Sequence, residues 1–402
     1  MNIIYLTLRF AGLKQRGIYP DLINELALNG HKITVVVAEE KKNINETKLE
    51  KYNDNVEILR VKVGDQFGVN FIKKGITTLK IQPLLKKAIS KYLSDRNYDL
   101  VLYSTPPVTF ANVVEYCKHK YQCKSYLMLK DIFPQNGVDI GLFKENGIIY
   151  KFFKKKEEKL YINSDFIGCM SKKNVEYILQ NNPHLCKEKV ELFPNTIKVP
   201  SNSYNTKESK NLYRKKYNID DDKVVFVFGG NLGKPQGIDF LLNSIKELQD
   251  YTKAYFLIIG KGSEKNKVKE HLKGLKNARF IEYLPKDDYE QLIDECDIGL
   301  VLLDNRFTIP NYPSRMLSYM TMSMPMVAAT DKNTDVRELL ENEANCGLWC
   351  SSDDINEFIK CIKKISEDSN LRKTLGENGR KYLENNFDVS RSLKILEKHF
   401  TM

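Results

Sequence analysis

The stretch from Val224 to Gly233 decides the fold of this chain. It reads Val-Val-Phe-Val-Phe-Gly-Gly-Asn-Leu-Gly, and Lys234 and Gly237 follow before an amphipathic stretch. The apolar run predicts a buried strand, the glycines a tight turn, and the amphipathic stretch a helix. Glycines let backbone N–H groups approach an anion, and a helix N-terminus adds partial positive charge. The segment therefore predicts either an anion site or a plain strand-to-helix turn. It matches neither the P-loop nor the dinucleotide-binding pattern.

The same alternation of strands and helices continues on both sides of this segment. Strands separated by helical crossovers predict a parallel, doubly wound α/β sheet. The polar stretch 195–211 contains little to bury and predicts a linker. The sequence thus predicts two domains, 1–198 and 199–387, with an amphipathic helix at about 388–402 packing back on the first. The predicted strands are 2–7, 32–38, 99–103, 124–129, 166–170, 190–193, 223–228, 254–259, 278–282, 298–303 and 326–329.

Composition limits the function classes. The chain has 402 residues, of which 42% are hydrophobic and 29% charged, as in an ordinary globular protein of more than one domain. Lys and Arg total 63 against 52 Asp and Glu, a net charge of +11, which favours an acidic partner. Nucleic acid is not expected, because no helix-turn-helix, zinc finger or aromatic RNA-binding signature is present. The chain lacks a spanning run or a signal-peptide pattern, so a cytoplasmic protein is expected.

The cysteines do not suggest a metal or disulfide framework. All 8 are scattered without a CxxC pair, as expected for free thiols in a reducing compartment. Cys346 and Cys350 come nearest to a ligand pair, and we interpret them as a half-buried turn. No metal and no cofactor are therefore expected.

A second segment, from Pro310 to Met320, also predicts a helix N-terminus. It reads Pro-Asn-Tyr-Pro-Ser-Arg-Met-Leu-Ser-Tyr-Met, and Met-Pro-Met-Val-Ala-Ala follows from Met324. Pro313 suits a first helical turn, and the backbone donors beside Ser314 would point at a ligand. Taken alone, the segment is equally consistent with a simple capped helix.

Together these segments resemble the sugar-nucleotide domain of GT-B glycosyltransferases of family 4. Such enzymes show a strand-Gly-Arg-Leu-x-x-x-Lys-Gly segment and a Pro-Ser-Lys-x-x-Glu-Tyr-Met helix before a Pro-Val-Val-Ala strand. Residues 258–262 resemble the family's Gly-x-Gly turn, and 193–195 resemble the Pro-Asn that closes its first domain. Residues 280–300 resemble the stretch that lines its base pocket. The resemblance implies two Rossmann-like domains that face a cleft.

The chain departs from that family at several positions. Asn231 and Gln236 stand where the family has Arg and Lys, and Lys130 stands where it often has His. Ser318 and Pro310 replace its paired Glu residues. However, the Asn-Leu-Gly-Lys, Gln-Gly and Ser-Tyr-Met elements and residues 131–135 resemble a subgroup that makes bacterial surface polysaccharides. That subgroup transfers amino or deoxyamino sugars, such as N-acetylfucosamine, onto lipid-linked saccharides.

The resemblance implies a retaining, metal-independent glycosyltransferase that uses a UDP-sugar in capsule, O-antigen or exopolysaccharide synthesis. The first domain would bind the acceptor and the second the nucleotide sugar. Alternatives are a catalytically silent GT-B binding protein and a UDP-sugar 2-epimerase. Asp131 either orients a sugar or is a satisfied loop carboxylate. The implied catalytic residues are Lys130, Asp131, Lys234 and Arg315, and the implied donor-binding residues are Gly12, Gly230, Asn231, Gly233, Gln236, Gly262, Tyr283, Leu284, Pro313, Ser314, Met316 and Ser318.

Two lysine-rich stretches of the first domain suggest an interfacial helix on an anionic membrane. Residues 150–156 mix aromatic side chains with lysines, and residues 71–93 combine lysines with an apolar stripe of helical spacing. The alternative for each is a solvated lysine face over a core stripe. If the first interpretation holds, the protein lies peripherally on the inner face of the cell membrane, beside a lipid-linked acceptor.

Overall fold

The computed structural model describes residues 1–10, 12–64, 71–201 and 212–400, with the side chains of 71–79 and 286 outside this description. The chain forms two compact units. The first comprises Met1–Lys198 and the chain from Asp388 onward, and the second is Val199–Phe387. The boundary falls in the predicted linker, of which residues 202–211 lie outside the described part.

The first unit is built on one 8-stranded sheet. Helices connect most of its strands, as the alternating sequence pattern predicts. Its elements are β1 (Asn2–Thr7), α1 (Ile18–Leu28), β2 (Lys32–Glu40), β3 (Lys48–Lys51), β4 (Val56–Val63), α2 (Phe71–Tyr92), β5 (Leu100–Ser104), α3 (Ala111–Tyr121), β6 (Lys124–Leu129), α4 (Gln135–Asp139), α5 (Ile148–Asn163), β7 (Phe166–Cys169), α6 (Lys172–Asn181) and β8 (Val190–Leu192).

The strand order of the first sheet is β3-β4-β2-β1-β5-β6-β7-β8. All neighbouring strands are parallel except β3, which runs antiparallel to β4. The prediction of a parallel sheet is therefore confirmed except at this edge. Strand β3 has the sequence Lys-Leu-Glu-Lys, whose single apolar side chain gives no strand pattern. The order reverses between β1 and β5, and such a switch point opens a crevice at the carboxyl ends of the strands.

The second unit is built on a 6-stranded sheet. Its helices again alternate with its strands. Its elements are α7 (Leu212–Lys216), β9 (Val224–Asn231), α8 (Ile238–Glu247), β10 (Ala254–Lys261), α9 (Lys265–His271), β11 (Ala278–Ile281), α10 (Lys286–Asp294), β12 (Ile298–Leu302), α11 (Arg315–Thr321), β13 (Met326–Thr330), α12 (Val336–Glu338), β14 (Gly347–Ser351), α13 (Ile355–Glu367) and α14 (Ser369–Asn386).

The order of the second sheet is β11-β10-β9-β12-β13-β14, and every pair is parallel. Strand β9, the stretch that decides the fold, lies at the switch point beside β12. The glycines predicted as a turn prolong β9 instead, because Gly230 pairs with Gly260 at the end of β10. Cys350 is also not in a turn: it is buried in β14, a strand that the sequence patterns did not reveal.

The last helix, α15 (Val389–Phe400), returns the chain to the first unit. Leu393 and Leu396 enter the same core as Leu22 and Leu26 of α1. At its start, the backbone N–H of Val389 donates to the carbonyl of Ile197 at 2.9 Å. The chain therefore leaves and re-enters the first unit at neighbouring positions.

Candidate functional site

The carboxyl ends of β9, β10 and β12 share one edge of the second sheet because these strands are parallel. The loops that follow β9 and β12 are held together, since the N–H of Asp304 donates to the carbonyl of Pro235 at 3.0 Å. This edge lies at the switch point, where open α/β sheets bind ligands. The candidate donor site is therefore built here, within the second unit.

Two neutral side chains shape the loop after β9. Asn231 Nδ2 donates to Gln236 Oε1 at 3.2 Å, and the N–H of Gly233 donates to the same oxygen at 3.2 Å. Residues Lys234–Gln236 of this loop form a turn of 3₁₀ helix. The residues that replace the family's Arg and Lys thus bond to each other and close the loop.

Hydrogen bonds within the protein use some of the backbone N–H groups of Gly230–Gly233 that could otherwise bind an anion. The N–H of Leu232 donates to the carbonyl of Lys261 at 2.8 Å, and that of Gly233 is held by Gln236. Since each backbone N–H is a single donor, these two are committed inside the protein. The anion site predicted for this segment would therefore need backbone donors other than these two, because the loop already uses them.

Glycines at the ends of β9 and β10 are required by close packing. A Cβ on Gly260 would lie 1.9 Å from the carbonyl oxygen of Gly230, and one on Gly262 would lie 2.1 Å from that of Leu232. Any side chain at either position would collide with backbone. Gly262 is one of the implied binding residues for the sugar donor. Close packing alone explains why a glycine stands at this position.

The half-buried Arg315 places a positive charge beside Gly230. Its Cζ lies 4.2 Å from the ring centre of Phe228, and a Cβ on Gly230 would lie 3.6 Å from its Nη2. Its Nη1 is buried and has no hydrogen-bond partner among the described residues. Burial lowers the pKa of Arg315, and only tyrosines oppose that effect. A buried guanidinium without a carboxylate is costly unless a ligand supplies the anion.

Helix α11 fixes Arg315 in this position. A Cβ on Gly299 would lie 2.3 Å from the ring of Tyr319, so helix and strand β12 pack closely. The Tyr319 hydroxyl also donates to the carbonyl of Val227 in β9 at 3.1 Å. The helix is thereby held against both strands of the switch point, and its first residue is Arg315.

The remaining residues of the Pro-Ser-Arg segment contribute unequally. Ser314 and Ser318 are exposed one helical turn apart, and Pro313 is half-buried. Met316 is buried, and its N–H donates to the carbonyl of Pro313 at 3.4 Å. The backbone N–H of Met316, one of the implied donor-binding residues, is therefore used within the turn itself.

Exposed groups at this edge complete the candidate donor site. Lys234 is exposed in the loop after β9. Tyr283 is 62% exposed, and Lys261 Nζ lies 3.8 Å from its ring centre, while Leu284 is half-buried. An exposed aromatic ring offers a stacking surface for a base, and lysine offers charge to a phosphate. Lys261 was not predicted, because a single lysine after a strand carries no distinguishing pattern.

In the first unit, Lys130 and Asp131 follow β6. Thr105, after β5, accepts from both of their N–H groups at 2.9 and 3.1 Å. Lys130 Nζ donates to the carbonyl of Phe193 at 3.3 Å, and burial lowers its pKa to about 7. Asn136 donates to the Asp131 carboxylate at 2.6 Å, and burial raises the pKa of Asp131 to about 6.

The same region of the first unit holds polar groups that the sequence did not distinguish. Asn195 and Thr109 are buried, and Asn195 Oδ1 and Thr109 Oγ1 have no hydrogen-bond partner among the described residues. Gly12 lies in the loop after β1 at φ +94°, where a Cβ would meet nothing within 4 Å. That conformation favours glycine. The unpaired atoms and the loop suit a polar ligand.

Across the residues that the structure describes, no group of at least 3 His, Cys, Asp or Glu side chains could hold a metal ion. In the same residues, no helix has both the length and the apolar character to cross a membrane.

Comparison with known proteins shows which proteins the second unit resembles. Residues 209–382 match the family described as "Glycosyl transferases group 1". The second unit is thus similar to the glycosyltransferases of that family. WbjE of Pseudomonas aeruginosa, named a probable glycosyltransferase, is 27% identical over 279 residues, which cover 68% of this chain and 67% of that protein. WcaI of Escherichia coli K12, whose name places it in colanic acid biosynthesis, is 19% identical over 50% of this chain and 49% of its own length.

Solved structures extend the glycosyltransferase likeness to the whole fold. Sucrose-phosphate synthase of Thermosynechococcus elongatus has a TM-score of 0.77 at 14% identity and covers 99% of this chain and 98% of its own. HepE of Anabaena, solved with UDP-glucose, has a TM-score of 0.70 at 16% identity with 100% of both chains covered. WaaG, a glycosyltransferase involved in lipopolysaccharide biosynthesis, has a TM-score of 0.66 at 15% identity over 99% of both chains. The fold is GT-B, as the sequence predicted.

Proposed function

We propose that this protein is a retaining, metal-independent glycosyltransferase. It would transfer a sugar from a UDP-sugar to a lipid-linked saccharide in bacterial surface polysaccharide synthesis. The observation that carries the proposal is Arg315, which lies beside Gly230 at the switch point and whose buried Nη1 has no hydrogen-bond partner among the described residues. A nucleoside diphosphate supplies an anion for that group. The group 1 match and the UDP-glucose complex of HepE support the same donor class.

The proposed chemistry follows from the charges at this edge. The bond between the anomeric carbon and the phosphate oxygen breaks, a bond to the acceptor hydroxyl forms on the same face, and the hydroxyl proton passes to the departing phosphate. Negative charge grows on that phosphate, so preorganised cations stabilise the transition state. Arg315 and the exposed Lys234 are the cations proposed for this role. Tyr283 is proposed to stack on uracil, and Ser314 and Ser318 to donate to the phosphate and sugar.

Lys130 and Asp131 are proposed to act on the acceptor side. Their position after β6, at the carboxyl edge of the first sheet, matches the edge that binds ligands in the second sheet. The proposed donor sugar is an N-acetylated amino or deoxyamino sugar. This proposal rests on the resemblance of residues 131–135 and the Ser-Tyr-Met element to the N-acetylfucosamine subgroup.

A panel of UDP-sugars tests the function directly. A ligand that binds only the folded protein raises its melting temperature, so the true donor is expected to give the largest shift. With that donor and a polyprenyl-diphosphate saccharide, release of UDP should be matched by glycosylated acceptor. UDP binding without turnover would indicate a silent binding protein, and a free epimer without acceptor would indicate an epimerase.

A further inference from the structure

Helix α5 buries some apolar side chains of its second half, although Ile162 there is 60% exposed, and leaves several apolar side chains of its first half exposed. Leu160 and Tyr161 are buried, whereas Ile148 is 90% exposed and Phe152 is 42% exposed. Leu142, in the loop before the helix, is 60% exposed. Clustered apolar side chains on a surface mark an interaction site.

Lysines surround these apolar side chains. Lys144, Lys151 and Lys155 are exposed, and Lys156 Nζ lies 5.5 Å from the ring centre of Phe152. The acidic side chains of the same stretch are the exposed Glu145, the half-buried Glu158 and the buried Glu157. The α5 corner is defined here as Leu142, Lys144, Ile148, Ile149, Lys151, Phe152, Lys155 and Lys156.

We propose that the α5 corner docks on the surface of a bilayer that contains anionic lipid. The inference rests on the proposed function, since a lipid-linked acceptor lies at such a surface, and it identifies the part of the chain that reaches it. Apolar side chains that project between lysines fit the boundary of head groups and acyl chains, where the charges meet lipid phosphate. Long lysine side chains reach the head groups while the apolar tips insert.

The structure excludes some residues that the sequence suggested for this role. Phe153 packs edge-on against Phe133, with ring centres 4.9 Å apart, so it belongs to the interior. Lys154 is paired with the buried Glu157 at 2.6 Å. Neither side chain is available to a membrane, and the α5 corner omits both.

Helix α2 does not provide a second docking surface. Ile81, Leu85 and Ile89 of its apolar stripe are fully buried, so the stripe packs in the core. The prediction of an interfacial helix at 71–93 is therefore wrong for the described side chains, and the alternative of a lysine face over a core stripe holds. The side chains of Lys73 and Lys74 lie outside the described residues. The exposed lysines of α2 serve as a matched control.

Sedimentation of the full chain with vesicles tests the proposal without any sugar nucleotide. Vesicles of phosphatidylcholine with phosphatidylglycerol should bind the protein, and vesicles of phosphatidylcholine alone should bind it much less. Lys144→Gln, Lys151→Gln and Lys155→Gln together should weaken binding roughly a hundredfold, from about fivefold for each lysine. Ile148→Ser with Phe152→Ser should weaken it about tenfold even at high salt, because apolar insertion is not screened.

The control removes the same charge elsewhere in the first unit. Lys80→Gln, Lys87→Gln and Lys91→Gln on α2 should change binding no more than about threefold, since binding depends on lysines at the surface. Equal binding to both vesicle types, binding to neither, or equal loss in the α2 control would each overturn the proposal. The UDP affinity of the same variants distinguishes a failure of the docking proposal from a failure of the proposed transferase function. Vesicle binding without nucleotide binding would reject the transferase and keep the docking surface.

Discussion

Asn231 Nδ2 lies 3.2 Å from Gln236 Oε1, so a neutral amide pair closes the loop after β9. In the family that the sequence resembles, these positions carry Arg and Lys. Their replacement leaves Arg315 and Lys234 as the cations proposed for the departing phosphate. Of these two cations, Lys234 lies in the loop itself and Arg315 at the start of α11.

Loss of Arg315 should slow glycosyl transfer. Arg315→Met removes a cation from the proposed phosphate site, and a lost charge-assisted contact costs about 2–4 kcal/mol of transition-state stabilisation, or about 30- to 1000-fold in kcat/KM. Lys234→Ala should act in the same direction. Arg337→Met is the control, because Arg337 is exposed and paired with Glu341. Full activity in both site variants would show that the phosphate site is wrongly assigned.

The same change should not destabilise the ligand-free protein. Arg315→Met replaces a half-buried charge, which has no carboxylate partner among the described residues, with an apolar side chain, so unfolding in urea should require equal or about 1 kcal/mol more free energy. Arg214→Met is the contrast: it breaks an ion pair with Asp297 at 2.7 Å and should cost about 3 kcal/mol. A loss of similar size in Arg315→Met would indicate a structural role for its charge.

Gln236→Ala should weaken donor binding without unfolding the second unit. It frees Asn231 and the N–H of Gly233, so the loop loses its preorganised shape. The loss of about 1 kcal/mol corresponds to roughly fivefold in the Kd for the UDP-sugar, measured by calorimetry. Gln249→Ala, at an exposed position after α8, provides the control. Tighter binding in Gln236→Ala would mean that the amide pair blocks the site.

Asp131→Asn should alter the pH dependence of stability. Burial raises the pKa of Asp131 to about 6 from an ordinary value of 3.8. Between these values the folded protein holds a proton that the unfolded chain has lost, so this carboxyl makes the protein less stable as pH rises. The melting temperature of the variant should equal the wild type near pH 4, exceed it increasingly up to about pH 6, and then stay above it. The exposed Asp95→Asn should show no such trend, and a difference largest at pH 4 would reverse the assignment.

The fold was predictable because both sheets repeat a strong signal. Most of the parallel strands are runs of apolar residues, as at Val224–Phe228. Strand β4 was not predicted, because Glu57, Arg60 and Lys62 interrupt its apolar residues. Strand β3 gave no such signal, since it is an exposed edge with a single apolar residue. The two lysine-rich helices show that the sequence pattern does not predict which apolar side chains lie on the surface. Helices α2 and α5 have the same pattern, and only tertiary packing determines that Leu85 is buried and Ile148 exposed.

The candidate site was predictable in its residue types and less so in their bonding. The resemblance identifies the Pro-Ser pair that precedes Arg315. Whether Arg315 Nη1 has a hydrogen-bond partner among the described residues depends on the side chain's surroundings, Phe228 and α10, which no local pattern encodes. Likewise, the sequence did not predict that the N–H groups of Leu232 and Met316 donate to carbonyls of the protein, because it does not reveal which carbonyls lie within hydrogen-bonding distance. Tertiary contacts decide both.

Ile197 and Asp388 pair in a parallel β-bridge, and this proximity has a consequence for how such proteins diversify. The second unit is one contiguous segment whose two ends leave the first unit side by side. A single recombination event that replaces residues 199–387 would exchange the whole second unit and leave the first unit with its own strands, its α15 and its α5 corner. If the proposed division between donor and acceptor units holds, such an exchange would change donor specificity while the acceptor unit stays the same, in evolution as in the laboratory.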